Sequence, residues 1–349
     1  MYKHGGMHFK HPDCIDYSAN INPFGMPERV KKAAVRGIED SVYYPDTECV
    51  SLRKQIGQKE KITEKNIVIG NGAAELIFAL CQTLRPKKAL LAAPTFQEYE
   101  QALHSVQCEC IYYDLQEERD FQWENREYIN KITQDIDILF LCNPNNPTGE
   151  LLNREQVTEI VETCNKYQVF CVIDECFLDF CKDGESMVSE WKVYDYLFIL
   201  KAFTKLYAMP GLRLGYGLTG NERILSGMKE NLQPWNISMP AQYAGIAALQ
   251  ETEYVKMSLQ VIEMEKEYLL QEMKENKLCR KVYASKANYI FFQAEPELGQ
   301  AMLERGFALR NCSNYRNLGE GFYRIAVRLH EDNEALIQCW KEWKSGWQK

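Results

Sequence analysis

The amino-acid sequence predicts an α/β fold, in which a mainly parallel sheet flanked by helices is followed by a smaller α+β unit. Two observations support this fold class. Between residues 66 and 200, short apolar runs typical of strands alternate with helical patterns, and this alternation is typical of parallel sheets. Beyond Asn221 the predicted strands and helices follow one another in a looser order. The two parts of the chain therefore indicate two differently built units.

In the first part of the chain, each predicted strand is a short apolar run and most predicted helices begin just after a turn. Residues 1–25 are rich in Gly, Pro, Asn and His, so we expect an irregular arm there. A short helical pattern covers residues 27–38, and another at 74–84 is stopped by Pro86. Further predicted helices cover residues 97–105 and 156–167. The predicted strands cover residues 67–69, 89–93, 110–113, 136–142, 169–173 and 196–200.

The second part of the chain is dominated by helical patterns, with only two strand-like runs. Three helical patterns come first, and the third of them is long and charged. Two strands, each followed by a helix, complete the tail. In order, these predicted elements cover residues 223–230, 241–250, 254–274, 289–292, 296–305 and 322–327, with a closing helix that extends to residue 347.

Length and charge narrow the class of protein. The chain has 349 residues, which suggests about two domains. With 41 Lys and Arg against 49 Asp and Glu, its formal charge is −8. An acidic balance disfavours binding to nucleic acid or to an anionic membrane, because both need an extended basic surface. We find no apolar run long enough to span a bilayer, so the sequence predicts a cytoplasmic protein.

The 13 cysteines do not suggest a disulfide framework. Their number is odd, and most of them lie inside apolar runs, as Cys142 and Cys171 do. Free cysteine behaves there as a small hydrophobic residue. Cys108 and Cys110 form the only tight pair, and no second pair at the spacing of a zinc site accompanies them. We therefore expect reduced, structural thiols and no metal.

Polar or flexible residues follow four of the predicted strands. A Gly70-Asn71-Gly72 turn comes after the first strand, an Asn-Pro-Thr-Gly turn (residues 146–149) follows another, and Asp174 and Lys205 follow two more. Ligands bind at the carboxyl ends of strands in such sheets. A lone strand-end Lys is usually a solvated surface residue, and a lone strand-end Asp is often a helix cap or a turn residue, so the ordered set is the informative signal.

This set suits pyridoxal phosphate. That cofactor needs a lysine amine and a carboxylate paired with its ring nitrogen, which Lys205 and Asp174 would supply. Its phosphate needs backbone N–H groups at a helix N-terminus and a cation. The turn that contains Gly72, Ala73 and Ala74 would form this cradle, Arg213 would be the cation, and Thr204 would add a hydroxyl.

Over nearly its whole length the chain resembles the aspartate aminotransferase superfamily, the fold-type I pyridoxal-phosphate enzymes. The resemblance implies that Lys205 is the Schiff-base lysine and that Asn146 bonds the 3′-oxygen of the cofactor. It also implies that Phe96 stacks on the cofactor ring, opposite Cys176. Tyr44 matches a tyrosine that reaches the phosphate in the neighbouring subunit, which implies a homodimer with shared active sites.

The resemblance further implies the domain boundaries and the residue that binds the substrate carboxylate. We expect an arm with part of the small domain at residues 1–39, a large cofactor-binding domain at 40–250 and a small domain at 251–349. Arg324 matches the arginine that binds the substrate α-carboxylate through a bidentate pair.

Two branches of the superfamily compete: histidinol-phosphate aminotransferase and the L-threonine-O-3-phosphate decarboxylase of cobalamin synthesis. The opening of the chain around His4 and Asn20, and the tail from residue 309 to 324, resemble the decarboxylase. Phe177 does so too, because aminotransferases usually have Tyr there. The resemblance assigns His4, Asn20 and Arg310 to substrate binding, with Arg310 as the phosphate clamp because guanidinium bonds phosphate in a planar fork.

Two residues of the expected cofactor site differ from the usual family pattern. Ala202 replaces a common Ser of the phosphate cup, and Cys176 replaces a common Ala, so the substrate preference could differ. His4 with two other early histidines lacks the spacing of a metal site. An inactive binding protein would be expected to lack Lys205, Asp174 or Arg324, and all three are present.

Overall fold

The computed structural model describes residues 5–347, which form two main sheets and the helices packed on them. The strands are β1 (Ile15–Asp16), β2 (Ile67–Gly70), β3 (Lys88–Ala93), β4 (Glu109–Asp114), β5 (Ile138–Cys142), β6 (Phe170–Asp174), β7 (Leu197–Ala202), β8 (Gly215–Leu218), β9 (Lys281–Val282), β10 (Tyr289–Gln293), β11 (Phe307–Ala308), β12 (Arg310–Asn311) and β13 (Phe322–Ala326). The helices are α1 (Glu28–Glu39), α2 (Val50–Glu60), α3 (Ala73–Leu84), α4 (Glu98–Ser105), α5 (Asn125–Ile129), α6 (Arg154–Tyr167), α7 (Glu222–Asn231), α8 (Met239–Ala248), α9 (Thr252–Glu275), α10 (Leu298–Leu303) and α11 (His330–Trp347). Among these described helices, none has the length and apolar character needed to cross a membrane.

The central sheet has seven strands in the order β2-β8-β7-β6-β5-β3-β4. Strands β3 to β7 pair in parallel, whereas β8 is antiparallel to both of its neighbours. The predicted α/β fold with a mainly parallel sheet is therefore confirmed. In the register of β5, β6 and β7, Asp174 lies beside Cys142 on one side and Leu200 on the other. The loops after these three strands consequently leave the sheet at the same edge.

Both faces of the central sheet are covered. Successive residues of a strand point to opposite faces, and the core divides accordingly: Leu139 and Leu141 of β5 join one apolar cluster, whereas Ile138 and Phe140 join the other. On the second face, α3 packs against α4 and α7. Strands buried on both faces read as continuous apolar runs, and this explains why the sequence predicted most of them.

The C-terminal sheet is antiparallel, with strand order β12-β13-β10-β9. Its register places Arg310 of β12 directly opposite Arg324 of β13. Strand β1 pairs in parallel with β11, so that Ile15 lies beside Phe307. The prediction of a wholly irregular arm for residues 1–25 is wrong at this point, because a two-residue strand is too short to produce a pattern.

Candidate active site

A cavity of about 240 Å³ lies at the carboxyl ends of the central strands. Its walls come from three parts of the chain: the segment before α1, the loops after the central strands, and the C-terminal sheet. The structure thus brings together most of the side chains that the sequence singled out. Those that line the cavity are Asn20, Ala73, Ala74, Phe96, Asn146, Asp174, Cys176, Thr204, Lys205, Arg213, Arg310 and Arg324.

Lys205 lies just beyond β7, with its amine inside the cavity. Burial, together with the positive charges of Arg324 and Arg213, lowers the pKa of Lys205 to about 8. Its Nζ lies 5.8 Å from the centre of the Phe177 ring. A lysine is a nucleophile only when it is neutral, and desolvation near other cations produces that state close to physiological pH. Lys205 is therefore prepared to attack a carbonyl carbon.

Asp174 ends β6 and accepts hydrogen bonds from two donors. The phenol of Tyr99 donates to its Oδ2 at 2.5 Å, and the backbone N–H of Cys176 donates to its Oδ1 at 2.9 Å. Burial raises the pKa of Asp174, while these donors and the charge of Lys205 act in the opposite direction. The result is a fixed carboxylate at the floor of the cavity, suited to a protonated ring nitrogen.

An anion cradle lies where β2 leads into α3. Gly72 has a φ of +79°, and a Cβ at this position would lie 2.5 Å from Nη2 of Arg213. Glycine is therefore required for the guanidinium to approach the start of the helix. The first-turn N–H groups of α3, the Thr204 hydroxyl and this guanidinium suit a phosphate. The residues present thus fit the phosphate of pyridoxal phosphate.

Arg324 connects three segments of the cavity wall. Its guanidinium donates through Nη1 to Oδ1 of Asn146, and through Nη2 to the Ser18 carbonyl oxygen at 2.8 Å. Within the described residues, neither Nε of Arg324 nor the side-chain Oδ1 and Nδ2 of Asn20 has a hydrogen-bond partner. Buried polar atoms are rarely left unpaired. These atoms therefore mark where a polar ligand would complete the site.

Arg310 provides a second cation on the same wall. Its side chain is buried, and its guanidinium lies 5.2 Å from the centre of the Tyr315 ring. Glu98, at the start of α4, also lines the cavity, and burial raises its pKa to about 7. The cross-strand pair of Arg310 and Arg324 suits a ligand that carries two anionic groups.

Not every predicted residue lies in the cavity. Tyr44 is 77% exposed, and its ring lies 4.7 Å from that of Trp235 on the surface. Gly72 lies beneath Arg213 rather than in the wall. His4 lies outside the described residues. Phe177 lines the cavity and packs edge-on against Tyr289 at 5.3 Å.

Several residues of the cavity wall were not predicted as site residues: Ser18, Gln97, Glu98 and Tyr315. An acidic residue in the first turn of a helix is ordinarily explained by its favourable interaction with the helix dipole, so Glu98 could not be recognised as a site residue from its position alone. A signal did exist for Tyr315, because it lies five residues after Arg310 in the tail that resembles the decarboxylase. Within residues 5–347, no group of three or more His, Cys, Asp or Glu side chains could hold a metal ion.

Comparisons with known proteins show the family to which the chain is related. A family model described as aminotransferase class I and II matches residues 12–338. The chain is 33% identical over 330 residues to the threonine-phosphate decarboxylase of Salmonella typhimurium, covering 93% of this chain and 90% of that protein. It is 29% identical over 339 residues to the histidinol-phosphate aminotransferase of Methanosphaera stadtmanae, with 94% and 90% covered. The solved histidinol-phosphate aminotransferase of Clostridium acetobutylicum superposes with a TM-score of 0.88 at 32% identity, covering 95% of this chain and 99% of that one.

Proposed function

Because the chain belongs to the class I and II aminotransferase family, whose cofactor is pyridoxal 5′-phosphate, we propose that it is a threonine-phosphate decarboxylase. The reaction removes the carboxylate of L-threonine O-3-phosphate as CO₂ and leaves (R)-1-amino-2-propanol O-2-phosphate, for the side chain of cobalamin. The observation that carries the substrate class is the cross-strand pair of Arg310 and Arg324 in one cavity with Lys205. This pair matches a small molecule with a carboxylate and a phosphate.

The cofactor would be held by residues that the cavity already assembles. Lys205 would bind its aldehyde carbon, Asp174 its ring nitrogen, and Phe96 one face of its ring. The cradle at the start of α3, with Arg213 and Thr204, would bind its phosphate. When bound, this cofactor withdraws the electron pair of the Cα bond that is held perpendicular to its ring.

The substrate would be oriented by its two anionic groups. Arg324 and Asn146 would take the α-carboxylate, with the unpaired Asn20 amide beside them. Arg310 would take the phosphate, and we propose that His4 assists it. Holding both ends fixes which Cα bond faces the ring, and in this way binding energy is converted into reaction specificity.

The chain's own acid–base groups would handle the protons. Asp174 would keep the proton on the ring nitrogen. Lys205 Nζ, with a pKa of about 8, can give a proton to Cα after CO₂ has left. The aromatic walls formed by Phe96 and Phe177 would exclude water from this step.

The alternative function is transamination by a histidinol-phosphate aminotransferase. It would use nearly the same residues, with Lys205 removing the Cα proton. The Clostridium acetobutylicum structure favours this alternative, since it is 32% identical to the chain. The decarboxylase is supported by the 33% identity to the Salmonella typhimurium protein and by Phe177, which has no hydroxyl to bond the 3′-oxygen of the cofactor.

A paired assay tests the two functions. The cofactor-loaded protein is incubated with threonine O-phosphate and CO₂ is measured; it is then given histidinol phosphate with 2-oxoglutarate, and glutamate is measured. We expect CO₂ from the first reaction. Glutamate without CO₂ would establish the aminotransferase instead.

An arginine substitution tests the substrate-binding proposal. Arg310→Gln should lower kcat/KM for threonine O-phosphate roughly 10- to 100-fold, because a hydrogen bond to a charged group contributes about 1.5–3 kcal/mol. Arg316→Gln is the matched control, since Arg316 is more than half exposed and does not line the cavity. Equal losses in the two variants would exclude Arg310 as the clamp.

We further propose a homodimer in which Tyr44 completes the partner's cofactor site. The support is an exposed apolar surface around it: Val42, Tyr43 and Tyr44 are each more than 70% exposed, and Trp235 is 48% exposed. Mixing inactive Lys205→Ala and Tyr44→Ala proteins should restore partial activity, because a mixed dimer has one intact site. Sedimentation as a monomer, or no recovery of activity, would contradict the shared site. The cytoplasmic location and the boundaries at residues 40 and 251 stay predictions.

A further inference from the structure

Tyr99 of α4 contacts two groups that would hold the cofactor ring. Its phenol donates to Asp174 Oδ2 at 2.5 Å. Its ring meets the ring of Phe96 edge-on, at a centroid distance of 5.4 Å and an angle of 78°. The residue expected under the ring nitrogen and the residue expected to stack on the ring are therefore both supported by one fully buried side chain.

Tyr99 is itself tightly fixed. It stacks on Phe140 of β5 at 4.8 Å, with the two rings only 11° from parallel. Burial and the negative charge of Asp174 raise the pKa of Tyr99 well above its ordinary value. The phenol consequently remains protonated and acts as the donor toward Asp174.

We propose that Tyr99 is a positioning residue that keeps the Asp174 carboxylate ionised, so that the proton shared with the cofactor stays on the ring nitrogen. This inference deepens the proposed function and rests on its cofactor, but not on its substrate. A protonated ring nitrogen is what makes the cofactor an electron acceptor. Tyr99 would thus influence the reaction without touching the substrate.

The physical reason is competition for one proton between Asp174 and the ring nitrogen. A donated hydrogen bond stabilises a carboxylate more than a carboxylic acid, and so lowers its affinity for the proton. The other groups that face Asp174 include Cys176, through its N–H and thiol, the amine of Lys205, and the Glu98 carboxyl and Cys142 thiol. Cys142 lies against the Tyr99 phenol. Removing the phenol would leave Asp174 a stronger competitor for the proton, by roughly 10- to 100-fold.

The test compares Tyr99→Phe with the native protein, both loaded with ¹⁵N-labelled pyridoxal phosphate and without substrate. The ¹⁵N chemical shift distinguishes a protonated from a neutral ring nitrogen. We expect a protonated nitrogen in the native protein and a shift toward the neutral form in Tyr99→Phe. Tyr128→Phe is the matched control, because Tyr128 is fully buried and its hydroxyl has no partner among the described residues.

A second variant carries 3-fluorotyrosine at position 99. Its more acidic phenol is a stronger donor, so the ring nitrogen should become at least as protonated as in the native protein, opposite to Tyr99→Phe. If the Phe variant does not fold, a less protonated ring nitrogen in this variant than in the native protein still contradicts the proposal. Cofactor affinity adds a further readout: Tyr99→Phe should weaken binding of pyridoxal phosphate, but not of its 1-deaza analogue, which lacks the ring nitrogen.

The outcomes separate the inference from the function on which it rests. A native protein that binds no pyridoxal phosphate would overturn the proposed function. If the native protein binds the cofactor, the role of Tyr99 alone would be overturned by an unchanged ¹⁵N shift in Tyr99→Phe, or by a less protonated ring nitrogen in the fluorotyrosine variant than in the native protein.

Discussion

Replacing Asn20 by Leu should separate stability from function. Asn20 is 1% exposed, and neither polar atom of its side chain has a hydrogen-bond partner within residues 5–347. Its backbone oxygen accepts from Nδ2 of Asn288 at 3.1 Å, and this bond does not depend on the side chain. No protein group within the described residues therefore satisfies the Asn20 amide, which lines the cavity.

The effect of Asn20→Leu on stability and its effect on catalysis should have opposite signs. A buried polar group without a partner costs about 1–3 kcal/mol, and Leu fills a similar volume without that penalty. The ligand-free Asn20→Leu protein should gain about 1–3 kcal/mol in free energy of unfolding. Its kcat/KM for threonine O-phosphate should fall roughly 10- to 100-fold, because the amide can no longer bond an anionic substrate.

Urea unfolding of the cofactor-free proteins measures the first effect and steady-state kinetics the second. Asn22→Leu is the matched control. Asn22 is also buried, but its Nδ2 donates to the Leu206 carbonyl oxygen at 2.8 Å and to Ser258 Oγ at 2.7 Å. The same substitution should therefore destabilise the protein by more than about 1 kcal/mol there. An Asn20→Leu protein that unfolds at lower urea and keeps its kcat/KM would refute the reasoning.

Four further predictions concern Lys205 and Arg324. Lys205→Ala should abolish the visible absorbance of covalently bound cofactor, and an unchanged spectrum would contradict its assignment. With a Lys205 pKa of about 8, the rate at which apoprotein captures the cofactor should rise with pH and level off above about pH 8; stopped-flow data that still rise at pH 10 would exclude a lowered pKa. Between about pH 8 and 10 the Lys205 amine is protonated in the unfolded chain but mostly neutral in the folded protein. Its contribution to the free energy of unfolding should therefore rise with pH in that window, as unfolding titrations would show. Arg324→Lys should lower kcat/KM about 100-fold, because an ammonium group cannot form the planar double bond to a carboxylate; retained kcat/KM would remove Arg324 from the carboxylate site.

Most of the central sheet could be predicted because its strands are buried on both faces. The predicted strand at residues 89–93 is observed as β3 (Lys88–Ala93), and that at 196–200 as β7 (Leu197–Ala202). Strand β8 was not predicted, because its sequence Gly-Tyr-Gly-Leu resembles a loop. Its Gly217 is required by packing, since a Cβ there would lie 2.1 Å from Cζ of Phe198. Helix α2 was also missed, because few of its residues are buried and its apolar spacing is weak.

Some of the site residues could likewise be predicted from the sequence, whereas others depend on contacts between distant parts of the chain. Lys205 and Asp174 could be found because each follows a strand, and parallel strands present their carboxyl ends at one edge. The cross-strand placement of Arg310 and Arg324 depends on the register of the C-terminal sheet, which local sequence patterns do not determine. Tyr99 gave no signal of its own, because its contact with Asp174 joins residues 75 positions apart. The role of Tyr44 stays a prediction.

The pairing of β1 with β11 has a consequence for how the chain matures during translation. Ile15 lies beside Phe307, and ribosomes add about 5–20 residues per second. Residues around β1 therefore wait roughly 15–60 s for their partner strand to be made. The hydrogen bond from Arg324 to the Ser18 carbonyl oxygen likewise cannot form until Arg324 has been synthesised. An early-synthesised wall of the cavity thus reaches its native place late, and catalytic competence should appear only after nearly the whole chain has emerged.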